Sequence, residues 1–302
     1  GSEMCIRDRY DAKARGRGNY QFFRQDMNIA AIERMAMEAD LRLALTQDQF
    51  VLHYQPQLDL RTGKLCAVEA LVRWRHPIRG MVPPMEFIPL AEETGLIQPL
   101  GDWVLREACR QLRRWHDQGF TDLKVSVNLS ASQFQDVGLP ERIRGFIAEA
   151  GIRPESLDIE VTESMSMASP SNTIATMTAL TGQGMSLSID DFGTGYSSLA
   201  YLKLFPIQTL KIDRSFVKDI ETDVNDAEIC DVTVLLAHKL GLEVVAEGVE
   251  TEAQLKYLIS VGCEKVQGYL ISPPLPADEV RPFFETYRPR AKLGEVSLWT
   301  PS

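Results

Sequence analysis

Phe50-Val-Leu-His-Tyr-Gln-Pro-Gln-Leu58 is followed by Asp59-Leu-Arg-Thr-Gly63-Lys64 and then by Leu65-Cys-Ala-Val-Glu69-Ala-Leu-Val-Arg73-Trp74. The outer two segments are rich in Val, Leu, Tyr and Trp and read as strands. The polar link between them is too short to carry a crossover helix, so the two strands must pair antiparallel as a hairpin.

Working downstream, six further apolar runs read as strands: Leu123–Leu129, Leu157–Val161, Ser186–Ile189, Thr209–Ile212, Glu243–Ala246 and Lys265–Leu270. Helical patterns such as Trp103–Gln118 and Asp226–Leu240 separate most of them. Eight strands alternating with helices suggest a β/α barrel, although a doubly wound sheet gives the same alternation and periodicity does not choose between them. With the opening hairpin, the expected fold is α/β, a TIM-like (β/α)8 barrel with an antiparallel first strand.

Upstream, Ile29, Ile32, Ala36, Ala39 and Leu43 recur at helical spacing, predicting an amphipathic helix from Asn28 to Leu45. It serves as a linker, a dimer seam or a helix packed on the barrel. Tyr10–Gln25 reads as a helix end, a turn at Gly16 and Gly18, and a short strand at Tyr20–Phe23. The expected division is therefore 1–27, a cloning remnant at Gly1-Ser2 plus the end of a preceding domain; 28–48, the linker helix; 49–290, the barrel; and 291–302, a tail.

The formal net charge of −10 argues against a polymeric nucleic-acid partner, which needs surplus Lys and Arg to replace counterions. A small anion remains compatible, because bound cations invert the sign of an acidic pocket. The five cysteines, Cys5, Cys66, Cys109, Cys230 and Cys263, form no C-x-x-C pair. Their odd number and scattered positions suit a reducing cytoplasm. No apolar stretch reaches the roughly 20 residues of a membrane span, which leaves a membrane-anchored parent protein open. The four histidines, His53, His76, His116 and His238, share no spacing and read as structural or surface residues.

Chemistry concentrates after the apolar runs. Strand two carries Glu69, and strand three ends at Asn128. Strand four carries Glu160 and then Glu163, and strand five runs into Asp190-Asp191-Phe-Gly-Thr-Gly195. Strand six bears Lys211 and Asp213, strand seven leads into Glu247 and Glu250, and strand eight holds Gln267. In a barrel these ends surround one mouth, where such folds build active sites. Taken singly, each has a plainer explanation: a strand-end Glu is solvated or caps a helix, Asp-Asp-Phe-Gly forms a turn, and Lys211 pairs with an acid. Seven strand ends repeating the same pattern are not explained that way. So many converging carboxylates would repel one another unless cations intervened. Oxygen donors without Cys or His favour Mg2+ or Mn2+ over zinc.

The ordered series Val68-Glu-Ala-Leu-Val-Arg-Trp74, Asp190-Asp-Phe-Gly-Thr-Gly-Tyr-Ser-Ser198, Leu210-Lys-Ile-Asp213, Ala246-Glu-Gly-Val-Glu250 and Gln267-Gly-Tyr269 resembles the signature of EAL-domain cyclic di-GMP phosphodiesterases. The likeness runs from about Ala39 to Tyr287, and the 10–25 segment resembles the end of a GGDEF domain without its diagnostic loop. The resemblance implies hydrolysis of cyclic di-GMP to linear 5′-pGpG with two divalent cations, Mg2+ or Mn2+. By it, Glu69, Asn128, Glu160 and Asp190 would ligate one cation, and Asp190 would bridge to a second completed by Asp191 and Glu247. Lys211 would orient or deprotonate the attacking water, and Glu163 would hold the loop after strand five. Glu250 and Gln267 would support the metal water network, while Gln55, Leu71, Arg73 and Asp213 would meet substrate. It also implies a homodimer and upstream GGDEF or sensory domains. Two other readings are a cyclic di-GMP receptor without turnover and an unrelated metal barrel using Lys211 as a carbon-acid base.

Overall fold

The computed structural model describes residues 19–195 and 198–288. The hairpin forms as its short polar link requires: β1 (Phe50–Asp59) pairs antiparallel with β2 (Lys64–His76), with Phe50 opposite Trp74 and Gln55 opposite Glu69. Asp59 accepts the main-chain N–H of Thr62 to close the turn. A short β3 (Gly80–Val82) lengthens the free end of β2.

From β2 the sheet continues in parallel through β4 (Lys124–Asn128), β5 (Leu157–Thr162), β6 (Ser186–Phe192), β7 (Thr209–Ile212), β8 (Glu243–Ala246) and β9 (Lys265–Gln267). β9 then pairs antiparallel with β1, Gln57 opposite Gln267, which closes an eight-stranded ring. The fold is a TIM-like barrel with one reversed strand, and the doubly wound alternative falls because both edges of an open sheet have joined. A two-residue β10 (Leu275–Pro276) pairs with the outer part of β1.

Side chains alternate across each strand, and here the alternation runs apolar outward and polar inward. Val125, Val127, Leu157, Ile159, Leu187, Ile189, Leu210, Ile212 and Val244 are buried in one core with helix residues such as Leu105, Leu112, Ile143 and Val234. The intervening Ser126, Asp158, Glu160, Ser188, Thr209 and Lys211 line the barrel axis. Barrels of this kind usually fill their axis with Val, Ile and Leu. This one is dry on the outside of the ring and polar along its centre.

Two expectations at the N-terminus are corrected. Tyr20–Phe23 is helical, not a strand, because a single helix covers Asn19–Ala44. Its packed face is Met37, Leu41 and Ala44, whereas Ile32, Ala36, Ala39 and Leu43 of the expected stripe are exposed. Polar pairs set this rotation: Asp40 meets buried His76 of β2 at 3.2 Å, and Arg34 pairs with Glu93. The turn at Gly16 and Gly18, Cys5 and the 291–302 tail lie outside the described residues. Among the described residues no helix is long and apolar enough to cross a membrane.

Candidate active site

At the C-terminal ends of the parallel strands, Lys211 is the hub. Only 1 % exposed, its Nζ lies 2.7 Å from Glu160 Oε2, 2.6 Å from Glu247 Oε1, 3.2 Å from Asp190 Oδ1 and 3.6 Å from Glu69 Oε2. Carboxylates from β2, β5, β6 and the end of β8 thus meet one ammonium from β7. Asn128, exposed at the end of β4, donates its Nδ2–H to Glu69 Oε1 at 2.7 Å. Gln267 donates to Glu69 Oε2 at 2.6 Å and to Gln55 Oε1 at 3.0 Å, while Gln57 donates to Gln267 Oε1 at 3.0 Å. This amide ladder joins the seam where the reversed strand closes the ring.

The loop after β6 is held from below. Glu163 is buried at the start of the helix Glu163–Ala168, and its Oε2 accepts the main-chain N–H of Gly193 at 2.8 Å and of Gly195 at 3.3 Å. Gly193 adopts φ +99°, and a Cβ there would stand 2.9 Å from the Phe216 ring. Asp191 itself is left-handed at φ 54°, a conformation that costs an ordinary residue of order 1–3 kcal/mol and persists only where its surroundings impose it. Asp190 Oδ1 accepts the Asp191 N–H at 2.9 Å.

Electrostatics reflect the crowding. Burial, then the neighbouring acids Glu69 and Asp190, push Glu160 well above the usual carboxylate range against the pull of Lys211. Burial likewise lifts Glu247 to about 8 and Asp191 to about 6, the latter also through Asp190 and Asp213. Burial draws the Lys211 pKa down, but Asp190, Glu160, Glu247 and Glu69 outweigh it and hold the ammonium well above the ordinary lysine value. Lys211 is therefore a countercharge in this state.

Other expected positions lie around the hub. Leu71 and Arg73 follow Glu69 on the same face of β2, both half-buried, and Arg73 Nη1 donates to Val72 O at 2.9 Å. Asp213 caps the helix Arg214–Lys218, accepting from Ser215 N at 3.0 Å and from the Ser215 hydroxyl. Gln55, beside Gln267, also donates to Ser272 O at 3.2 Å. Glu250 is different: it is exposed, its main-chain N–H donates to Gln254 Oε1 at 2.7 Å, and among the described residues no side-chain bond ties it to the hub. Three histidines are bonded elsewhere, His76 to Asp40, His116 to Leu123 O and His238 to Glu264.

Sequence reading missed Gln57 and Asp158. Asp158 is buried on the axis behind Glu160, accepting from Ser188 at 2.7 Å and Ser126 at 3.4 Å. The signal was present in Lys124-Val-Ser-Val-Asn128 and Leu157-Asp-Ile-Glu160, where every second residue is polar.

The hub has the chemistry of a hard-cation site: oxygen donors from several strands, with four carboxylates against a single ammonium. Among the described residues, however, no group of three or more His, Cys, Asp or Glu already has the spacing of a metal cage. The physical reason is Lys211, whose ammonium occupies the centre that such a cage would leave open. Any cation held by these oxygen donors would have to share them with that ammonium.

Residues 38–274 match the family model described as EAL domain. The chain is 47% identical over 271 residues to the bifunctional diguanylate cyclase/cyclic di-GMP phosphodiesterase MucR of Pseudomonas aeruginosa, covering 90% of this chain and 40% of that protein. It is 48% identical over 279 residues to the cyclic di-GMP phosphodiesterase NbdA of the same organism, covering 92% and 36%. The chain thus spans less than half the length of these relatives. The solved PaMucR phosphodiesterase in complex with c-di-GMP superposes with a TM-score of 0.79 at 47% identity, over 81% of this chain and 99% of that one. With the barrel, the ordered motifs and the family match over most of its length, the chain belongs to the EAL domain family.

Proposed function

We propose that this chain hydrolyses cyclic di-GMP to linear 5′-pGpG, a step in bacterial second-messenger signalling, with the help of two divalent cations, Mg2+ or Mn2+. The observation that carries the reading is the Lys211 hub, where four strand-end carboxylates converge within 3.6 Å of one Nζ. The similarity to MucR and NbdA and to a c-di-GMP complex supplies the substrate.

In this reading Glu69, Asn128, Glu160 and Asp190 hold one cation, and Asp190, Asp191 and Glu247 hold the other. When bound, the cations neutralise charge developing on the phosphoryl oxygens. Arg73 binds a phosphate through its forked donors, Asp213 accepts from a guanine edge, and Gln55 and Leu71 complete the substrate surface. Lys211 orients the attacking water. Glu163 fixes the loop that aims Asp191, and Gln267 and Glu250 support the water network, Glu250 from the exposed rim. The water oxygen bonds to phosphorus, the bond to a 3′-oxygen breaks, and that oxygen leaves with a proton.

The wider setting is proposed on the same basis. Residues 1–27 are a cloning remnant and the end of a GGDEF-like domain, 28–48 a linker within the first helix, 49–290 the catalytic barrel and 291–302 a tail. The parent protein carries upstream GGDEF or sensory domains, with this domain in the cytoplasm, a placement compatible with a membrane-anchored parent. The domain works as a homodimer, which light scattering over a concentration series tests: a monomer at every concentration refutes it.

The functional test is nucleotide chromatography after incubation with cyclic di-GMP and Mg2+ or Mn2+, with and without chelator. Metal-dependent conversion to pGpG supports the enzyme. Tight binding without conversion means a receptor, and activity confined to carboxylate substrates means the carbon-acid barrel.

A further inference from the structure

The polar axis of the barrel has a second opening. A cavity of about 500 Å³ lies in the N-terminal half of the ring, on the side away from the substrate-facing rim. Exposed Lys124 and Glu243 stand at its outer end, and buried Ser126, Ser188 and Thr209 form its walls. Glu160 and Lys211 close its inner end. The hub is thus reached from two directions, with the 2.7 Å Glu160–Lys211 ion pair as the partition.

Hydroxyl, carboxylate and amide groups around a space this large are too costly to leave dry, and the volume holds on the order of ten or more waters. Small side chains keep it open: where other barrels pack branched apolar layers, this one has Ser126, Ser188 and Ala67. The buried Asp158 carboxylate, bonded at 2.7 Å to Ser188, adds a fixed polar group to the passage wall. Hydrolysis consumes one water per turnover, and a dinucleotide seated over Arg73, Leu71 and Asp213 covers the front.

We propose that the rear cavity is a water conduit that delivers the nucleophile to Lys211 while substrate covers the mouth. It rests on the hydrolytic reading above. The delivered water supplies the oxygen that bonds to phosphorus; one of its protons ends on the departing 3′-oxygen, and no other reactant is needed.

Thr209 lines the cavity without belonging to the hub, so Thr209→Cys places a handle in the passage. The background carries Cys5→Ser and Cys66→Ser; Cys109, Cys230 and Cys263 are buried. The thiol is treated with methyl or benzyl methanethiosulfonate, with and without a saturating phosphorothioate analogue of cyclic di-GMP. The conduit predicts labelling at rates within about twofold whether or not the analogue is bound. It predicts that the methyl adduct keeps most of its kcat. The benzyl adduct should lose about tenfold or more in kcat, equivalent to slowing by the loss of one access route, with KM and Mn2+ affinity by electron paramagnetic resonance within about twofold. An unreactive or analogue-protected thiol overturns the proposal, as does a benzyl adduct that turns over normally. Loss of Mn2+ affinity in step with kcat also overturns it, since that marks distortion of the hub. Should the unmodified protein label as expected yet leave cyclic di-GMP intact with Mn2+, the hydrolytic reading has failed, and the delivery role fails with it.

Discussion

Replacing Lys211 by Met removes the one ammonium that Glu69, Glu160, Asp190 and Glu247 share while keeping most of the side-chain volume. Removing one partner from a buried ion pair costs about 3–5 kcal/mol, because the remaining charge is left uncompensated. The lower end applies here, since Glu160 and Glu247 already hold protons more tightly than ordinary carboxylates and take them up in place of the ammonium. A loss of about 3 kcal/mol in a barrel of this size lowers Tm by roughly 6–12 °C. Differential scanning calorimetry of the chelated K211M protein against the chelated parent reads this directly. The same substitution removes the positive charge that competes for the acidic shell, so K211M should bind Mn2+ more tightly than the parent and regain much of the lost Tm when Mn2+ is added. Turnover should remain absent at saturating Mn2+, because nothing is left to orient the water. Equal melting of the two chelated proteins, or weaker Mn2+ binding by K211M, would refute Lys211 as the countercharge that competes with cations.

Glu69→Ala removes a proposed cation ligand and should abolish turnover even at saturating metal; unchanged rates would contradict the assignment. Glu163→Ala frees the Gly193 and Gly195 N–H groups and should lower kcat about 10–100-fold, as outer-shell losses at metal sites do, while Glu163→Gln, which still accepts those bonds, restores most of it. Arg73→Ala should raise KM about tenfold or more with little change in kcat, the loss of a charged hydrogen bond to phosphate. Because burial raises Asp191 to about 6 and Glu247 to about 8, both release protons when a cation binds. Mn2+ affinity should therefore rise with pH through that window, which calorimetry in buffers of different ionisation enthalpy detects as proton release. The sign for stability is opposite: with folded pKa values above the unfolded ones, these carboxyls make the metal-free protein less stable as pH climbs from the ordinary carboxylate range toward 8.

Much of this was legible in the residues. The short Asp59–Lys64 link dictated a hairpin, and the hairpin dictated a reversed strand, because strand pairing is set by the length of the connection. The converging acids were legible too, since a parallel barrel carries every strand end to one rim. What failed was rotation. The Asn19–Ala44 helix has two apolar stripes, and only the Asp40–His76 and Arg34–Glu93 pairs select the Met37–Leu41–Ala44 face. The four-carboxylate shell that holds Lys211 as an ammonium comes from β2, β5, β6 and the end of β8, and no local pattern around Lys211 shows it. β3 and β10, at Gly80–Val82 and Leu275–Pro276, are too short to leave a periodic trace. The left-handed Asp191 stands just ahead of the glycines that Glu163 grips, a contact between residues far apart in the chain.

The most direct measurement is a single turnover of cyclic di-GMP with Mn2+ in water enriched in oxygen-18, with the product read by mass spectrometry. Water attack at phosphorus predicts pGpG carrying one heavy oxygen in its 5′-phosphate and none in its 3′-hydroxyl. Unlabelled phosphate, label in the 3′-hydroxyl, or cyclic dinucleotide recovered unchanged would contradict it.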